Sequence, residues 1–353
     1  MPRPLLFLLL LAPTVAIAQS GGVDRVVYRG KDGKLVTADA EVKESAAGVQ
    51  LLVGGKAKEA LSPPEVVRID YGSLPGLTKA DLSTVQVFED GRDPAKAAAA
   101  FGALLKKVGS QAGEKTRRYL AFREAVWAAK VVDAKTGDEF TAEAKLAADR
   151  LAGVFRTAKK SWEAWPAART AARLYAEADD FESAAKVLGE LATVPDLPAD
   201  LRADARLAEA AALIRGRRSL EADGVLAKLA ADPSLPTGAK DKLAVVTAAA
   251  RVPLPKPGEP SSGAKPAQLA DLQKAVDAAG PGAKAVGYGL LGEALLAHGQ
   301  TREAMWAFLW VDTVYNREPD ERVLAIRRLV TVFDKQGEKD RADQFREKLP
   351  RVR

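Results

Sequence analysis

The side chains that could support catalysis are few and poorly arranged for it. The only histidine is His298, which stands before Gly299 at the predicted end of a helix, and the chain has no cysteine. A hydrolytic triad lacks its usual context, because no G-x-S-x-G elbow precedes this histidine. A transition-metal site lacks both a second histidine and a thiolate. The position of His298 is typical of a polar contact at a helix end.

Several carboxylates stand together at predicted helix starts, where negative charge interacts favourably with the helix dipole. They are Asp179, Asp180, Glu318, Asp320 and Glu321. An uncharacterised hydrolase that uses two carboxylates stays open as the least favoured alternative. Gly54-Gly55-Lys56 lacks the first glycine and the hydroxyl residue of a phosphate loop, and it is typical of a hairpin turn. The sequence therefore predicts no catalytic residue, no cofactor and no metal site.

Four tryptophans form two closely spaced pairs: Trp162 with Trp165, and Trp306 with Trp310. A spacing of three or four residues places both rings of a pair on one face of a helix. Such a face could stack on a ligand, but packing between successive helices is the favoured interpretation.

The elements that must position these residues follow a predicted export signal. Arg3 precedes an apolar run over residues 5–12, and Ala16 and Ala18 form an A-x-A site before Gln19. These features predict a secretory signal peptide over residues 1–18. The run is shorter than the roughly 20 residues that span a bilayer. We expect an exported chain, located in the periplasm or cell envelope or secreted, with no membrane span after cleavage.

Composition favours a helical protein with an ordinary charged surface. Lysine and arginine number 53 against 47 aspartates and glutamates, a formal net charge of +6. The charges are interspersed and not grouped into a basic stripe, so a nucleic-acid partner is not favoured. The chain is rich in alanine, leucine, lysine, arginine and glutamate, which are strong helix formers.

Residues 23–72 have the pattern of short strands. Valine-rich segments lie at 26–28, 35–42, 49–53 and 66–71, and glycine-containing turns separate the first three. Glycine adopts the left-handed backbone conformation that tight hairpin turns need. The pattern predicts a small antiparallel β barrel that resembles SH3-like and Sm-like modules in architecture.

Helical periodicity fills the rest of the chain. A connector over 73–93, rich in Gly, Pro, Ser and Asp, precedes a helical block over 94–252. A Pro/Gly-rich linker over 253–266, interpreted as a hinge or insertion, precedes a second block over 267–353. The predicted helices are 94–108, 114–131, 141–156, 161–178, 181–193, 199–215, 219–231, 237–251, 267–279, 283–298, 301–315, 318–336 and 339–348.

The helices repeat in pairs. Four positions recur after 38 residues: Ala184 and Ala222, Leu188 and Leu226, Leu191 and Leu229, Pro195 and Pro233. A fixed offset of this size is the mark of a stacked helix-pair array.

A more complete copy of the repeat lies nearer the C-terminus, and a weaker one follows it. The first comprises Leu291, Gly292, Leu295, Gly299, Ala304, Phe308 and Val311, and the second Leu329, Phe333, Gly337, Ala342 and Phe345. This order of small and large residues resembles the tetratricopeptide repeat family. The displaced aromatic of the second copy suits a capping repeat. The sequence thus predicts a mainly α protein, a tetratricopeptide-like α-solenoid behind a small β barrel.

The family resemblance implies a concave groove lined by the first helix of each pair. Mapped onto this chain, the groove carries Arg169, Arg173, Glu177, Arg215, Glu293, Arg327 and Lys335. Several of these are cationic, so the expected partner is a protein or peptide with an acidic segment or a C-terminal carboxylate. The resemblance therefore predicts a non-enzymatic scaffold. The alternative is a binder of an anionic polymer, nucleic acid or polysaccharide, through the same basic residues.

Overall fold

The fold is mainly helical and begins with a small antiparallel sheet. The structure is a computed structural model that describes residues 23–255 and 266–352. The predicted signal peptide and most of the predicted 253–266 linker lie outside these residues. The predicted fold class, stacked helix pairs behind an N-terminal β module, is confirmed.

The sheet has five strands in the order β4-β3-β2-β1-β5, and every ladder is antiparallel. The strands are β1 Asp24–Arg29, β2 Leu35–Ser45, β3 Gly48–Val53, β4 Lys56–Leu61 and β5 Val66–Asp70. Residues 35–40 of β2 pair with β1, and residues 41–45 pair with β3. Gly54 and Gly55 both have positive φ, so they form the predicted hairpin turn between β3 and β4.

Fourteen α-helices follow within the described residues. They are α1 Lys79–Asp90, α2 Pro94–Val108, α3 Glu114–Asp133, α4 Gly137–Thr157, α5 Ala164–Glu177, α6 Phe181–Ala192, α7 Ala199–Arg215, α8 Ser219–Ala230, α9 Thr237–Ala250, α10 Ala267–Ala278, α11 Pro281–Ala297, α12 Thr301–Thr313, α13 Pro319–Lys335 and α14 Lys339–Val352. Each predicted helix is present with ends that shift by a few residues.

Helix α1 lies inside the segment that was predicted to be a connector without helix. Thr78 accepts a hydrogen bond from the Asp81 amide, and the Asp81 carboxylate accepts one from the Thr78 amide. This capping box satisfies two amides that would otherwise lack partners at the helix start. The surrounding Gly, Pro and Ser residues favoured a loop in the prediction, although Thr78 and Asp81, three positions apart, encode the start of this helix.

The repeat is visible in the backbone of four helix-pair turns. Asp179, Arg217, Gly299 and Gly337 all have positive φ, between 57° and 75°. One residue later in each turn, an amide donates to a carbonyl five residues back, as in a Schellman motif. Five residues after each left-handed position stands an alanine with 0 to 1% exposure: Ala184, Ala222, Ala304 and Ala342. Gly299 thus ends its helix in a left-handed cap, and the small side chain of Ala304 is fully buried where the helix pair crosses.

Alanine at Gly337 should destabilise the protein, whereas alanine at Gly153 should stabilise it. Gly337 has φ +75°, and a left-handed non-glycine residue costs about 1–2 kcal/mol. Gly153 is inside α4 with open space around it, so alanine gains about 1 kcal/mol of helix propensity. Urea unfolding of the two variants gives the sign of each change in the free energy of unfolding. Effects of the same sign would contradict the assigned turn geometry.

The sheet packs directly on the helical array. The Tyr71 ring, which follows β5, meets Tyr119 of α3 edge to face at 5.3 Å, and Tyr119 meets Phe101 of α2 at 6.1 Å. Lys115 lies over the Tyr71 ring at 4.0 Å. Sheet and array therefore share one apolar core.

Helices that are distant in the sequence contact one another in the second half of the array. Helix α9 contacts both α10 and α11, so the blocks on either side of the 253–266 segment are packed together. Helix α11 also contacts α7, and α13 contacts α5. Helices α5, α7, α9, α11 and α13 therefore surround a common space, and the concave groove expected from the repeat is closed on one side by α13.

Candidate partner-binding pocket

The space between these five helices is a pocket with an apolar floor and a charged rim. Its cavity volume is about 80 Å³, and it opens to solvent. The floor includes Ala172, Leu188, Ala208, Ala211, Val246, Val286 and Leu324. Small side chains dominate this floor because the helices approach one another closely.

Cations reach the rim from three helices. Arg169 and Arg173 are four residues apart on α5, which places them on one face of that helix. Arg215 ends α7, and Lys242 lies in the second turn of α9. Arg169, Arg215 and Lys242 all face carboxylates across the pocket, and we call these three residues the pocket cations.

The carboxylates come mainly from the start of α13. Asp320 Oδ2 lies 2.7 Å from Arg169 Nη2, and Glu318 Oε1 lies 3.0 Å from Lys242 Nζ. Glu321 binds Arg215 with both carboxylate oxygens. We call Glu318, Asp320 and Glu321 the acidic turn.

Asp204 of α7 adds a carboxylate that bridges two of the pocket cations. It lies 3.4 Å from Arg169 Nη1 and 3.3 Å from Lys242 Nζ. Burial by itself lowers the pKa of Lys242, but Asp204 and Glu318 outweigh burial and raise this pKa above its ordinary value. The pKa of Arg169 is raised in the same way, by Asp320 and Asp204 against burial. The cations therefore stay charged and are ion-paired with carboxylates of the same chain.

The structure brings some of the predicted groove residues into this pocket. Arg169, Arg173 and Arg215 line it. Glu177 is buried beside it and is ion-paired with Arg173, which also binds Asp133 of α3 at 3.0 Å. These contacts hold Arg173 in place below the rim.

The other predicted groove residues lie elsewhere. Glu293 lines a neighbouring pocket and lies 2.6 Å from Arg328 Nε. The Arg327 guanidinium lies over the Phe140 ring at 5.0 Å, and Lys335 is exposed at the end of α13. These residues lie outside the pocket because α13 presents its first turn to it, whereas they lie further along their helices; their role in binding a partner stays a prediction.

Sequence reasoning missed Lys242, Asp204 and the role of the acidic turn. The acidic turn was interpreted only as charge that complements a helix dipole. Opposite charge on the predicted groove residues was the one signal that pointed to this pairing. It could not identify the pairs, because Arg169 and Asp320 are 151 residues apart.

His298 and two tryptophans have structural roles. His298 caps α11, is largely buried, and its Nε2 lies 2.8 Å from the Pro253 carbonyl oxygen, to which it donates. Trp162 and Trp165 are buried, as packing between helices predicts. Trp306 and Trp310, at 54% and 45% exposure, do not follow that prediction.

Across 23–255 and 266–352, no three His, Asp or Glu side chains are grouped to hold a metal ion. None of the helices in the described part of the chain has the length and apolar character needed to cross a membrane.

The fold and the pocket define a mainly α protein of stacked helix pairs with an N-terminal β module and a network of ion pairs between its helices. The chain matches no family model, and neither a curated protein nor a solved structure shows significant similarity to it.

Proposed function

We propose that this chain is an exported, non-enzymatic scaffold of the tetratricopeptide type, which binds an acidic segment of a protein partner at the pocket cations. The proposed location is the periplasm or cell envelope. The N-terminal sheet is proposed to be an SH3-like module. Its long β2, shared between two ladders, supports that proposal.

One observation carries the proposal: the pocket cations already bind an acidic segment, the first turn of α13. Three cation–carboxylate pairs join that turn to α5, α7 and α9. Charge-assisted hydrogen bonds of this kind are stronger than neutral ones, and the arginine fork adds geometric selectivity. A partner that presents carboxylates with similar spacing would meet the same cations.

The same observation does not favour the anionic-polymer alternative. A polymer needs a row of cations free to replace its counterions. Here the three cations converge on one small pocket and do not form a row, and Asp204 adds a negative charge between two of them.

Neutralising Arg169 and Lys242 together should abolish partner capture. The mature chain, residues 19–353, would be used to recover proteins from the native envelope, with identification by mass spectrometry. The Arg169→Gln/Lys242→Gln variant is expected to lose the captured acidic partner, because each lost charged hydrogen bond weakens binding by about tenfold or more.

Lys335→Gln is the matched control, since Lys335 is an exposed cation outside the pocket. It should retain every partner. Circular dichroism checks that all variants fold. An identical set of partners for the double variant and the unaltered chain would contradict the pocket assignment. Capture that falls steeply and linearly with the logarithm of salt concentration would instead support the polymer alternative.

A further inference from the structure

Helix α13 is held differently on its two sides. Toward α14 the buried contacts are apolar, and an ion pair between Asp334 and Arg346 lies outside them: Val323 and Ile326 form a small core with Leu349, and the Phe333 ring stacks on Phe345 at 5.6 Å. Ala325, Leu329 and Phe333 of the same helix belong to the main core of the chain. Buried apolar surface therefore holds the body of α13 in the fold, against α14 and against the main core.

Toward α5, α7 and α9, charged contacts dominate. Besides the three pairs of the acidic turn, Arg328 Nη2 lies 3.1 Å from Asp179 in the turn after α5. The carboxylates in these pairs are between 15 and 57% exposed. Water and salt reach Glu318, Asp320 and Asp179 and weaken their pairs, whereas the Arg215–Glu321 pair is nearly buried and holds the turn more firmly. The first turn of α13 can therefore leave the pocket cations while the remainder of the helix keeps its apolar contacts.

The acidic turn also has the composition of a helix start that another protein could supply. Pro319 occupies the first helical position, and Asp320 and Glu321 follow it in the first turn. Proline at this position and carboxylates in the first turn both favour helix initiation. The pocket cations thus face a local structure that a short segment of a partner can form without the remainder of α13.

We propose that the acidic turn is an internal substitute for the partner, and that the partner is a protein segment whose helix begins with the same pattern of proline and carboxylates. The partner binds by displacing the acidic turn from the pocket cations. This inference rests on the proposed function, because it concerns the same pocket. It adds the class of partner, and it adds a state without partner in which the acidic turn of the same chain occupies the pocket.

Displacement has a defined thermodynamic consequence. An internal segment competes at an effective concentration that is typically millimolar. The apparent dissociation constant for an external segment then equals the intrinsic constant divided by the fraction of molecules whose pocket is open. Loosening the acidic turn must therefore strengthen binding of an external segment, whereas loss of the pocket cations must weaken it.

The test uses the full mature chain and a fluorescent synthetic peptide with the sequence of residues 316–335, which contains the acidic turn. Fluorescence anisotropy gives the dissociation constant. The Asp320→Asn/Glu321→Gln variant is expected to bind the peptide at least tenfold more tightly than the unaltered chain does. Adding Arg169→Gln and Lys242→Gln to that variant should abolish the gain.

Two further variants keep the test decisive. Asp334→Asn removes a carboxylate of α13 that pairs with Arg346 outside the pocket, and it should leave peptide affinity unchanged. Asp179→Asn removes the Arg328 pair without altering the pocket, at a left-handed position that asparagine tolerates. It should raise peptide affinity by about two- to fivefold, as expected for one partly exposed ion pair. This milder variant decides the question should the double replacement unfold the chain.

Equal peptide affinity for the unaltered chain and both loosened variants would overturn displacement while leaving the proposed function intact. Absence of peptide binding by every variant, together with partner capture that still depends on Arg169 and Lys242, would overturn the assigned class of partner. Capture that ignores the pocket cations would instead reject the proposed function itself. The three results are distinguishable because the peptide and the native partner are measured separately.

Discussion

Replacing Arg118 with methionine is expected to lower the free energy of unfolding by about 3–5 kcal/mol. Arg118 of α3 lies at the junction of the sheet and the helices. Its Nε is 3.0 Å from Glu163 Oε2, before α5, and its Nη2 is 2.6 Å from Glu44 Oε2, on β2. The Glu163 side chain is only 1% exposed. Methionine keeps most of the volume but leaves two buried carboxylates without this cation.

The decrease in the free energy of unfolding caused by Arg118→Met should depend on pH. Burial raises the pKa of Glu163, and the Arg118 charge opposes this rise. Without Arg118 the folded-state pKa of Glu163 should rise further above its unfolded value. A group with a raised folded pKa favours the folded state at pH below its unfolded pKa, and this advantage is lost as pH rises through the folded pKa. The Arg118→Met variant should therefore be less destabilised at pH 5 than at pH 8.

Urea unfolding at the two pH values measures the effect, and Arg150→Met provides the control. Arg150 of α4 also pairs with a glutamate, Glu124, but its side chain is 60% exposed. Its loss should cost less than about 1 kcal/mol at either pH. Adding Glu163→Gln to Arg118→Met should recover stability at pH 8, since the amide removes a buried unpaired charge. Similar costs for Arg118→Met and Arg150→Met would show that the junction does not depend on this cation.

The helices of this chain were predictable because each leaves a local signal. Apolar residues recur at helical spacing, and the 38-residue offset between Ala184 and Ala222 is a property of the sequence itself. The missed helix α1 also had a signal, Thr78 followed by Asp81, which the density of turn-forming residues obscured. Local chemistry was sufficient for these elements.

The candidate site was predictable only in part. Arg169 and Arg173 were identified because their spacing on a first helix of a pair is a local property. The contact between α13 and α5 is not encoded locally, because it depends on the sum of small rotations between the successive helix pairs that separate them. The pairing of Arg169 with Asp320 depends on that accumulated curvature, and no spacing in the sequence encodes it.

Leucine in place of Gly292 is expected to destabilise the protein by about 3 kcal/mol, the upper end of the range for overpacked cores. A β-carbon at position 292 of α11 would lie 2.6 to 2.9 Å from three atoms of the Phe308 ring. Phe308 of α12 is 1% exposed, so the ring has no free volume into which it can move. The clash is with a rigid ring and not with the flexible end of a side chain.

Gly282→Leu is the matched control, because Gly282 is in the first turn of the same helix with nothing near its β-carbon position. It should leave stability unchanged or raise it slightly through helix propensity. Phe308→Ala alone should cost about 3–5 kcal/mol by opening a cavity. Combined with Gly292→Leu it should cost less than the sum of the two single losses, because the leucine occupies the space that the ring vacates. Strictly additive losses in urea unfolding would mean that Gly292 and Phe308 do not share this contact, and the repeat would then need another explanation for its glycine.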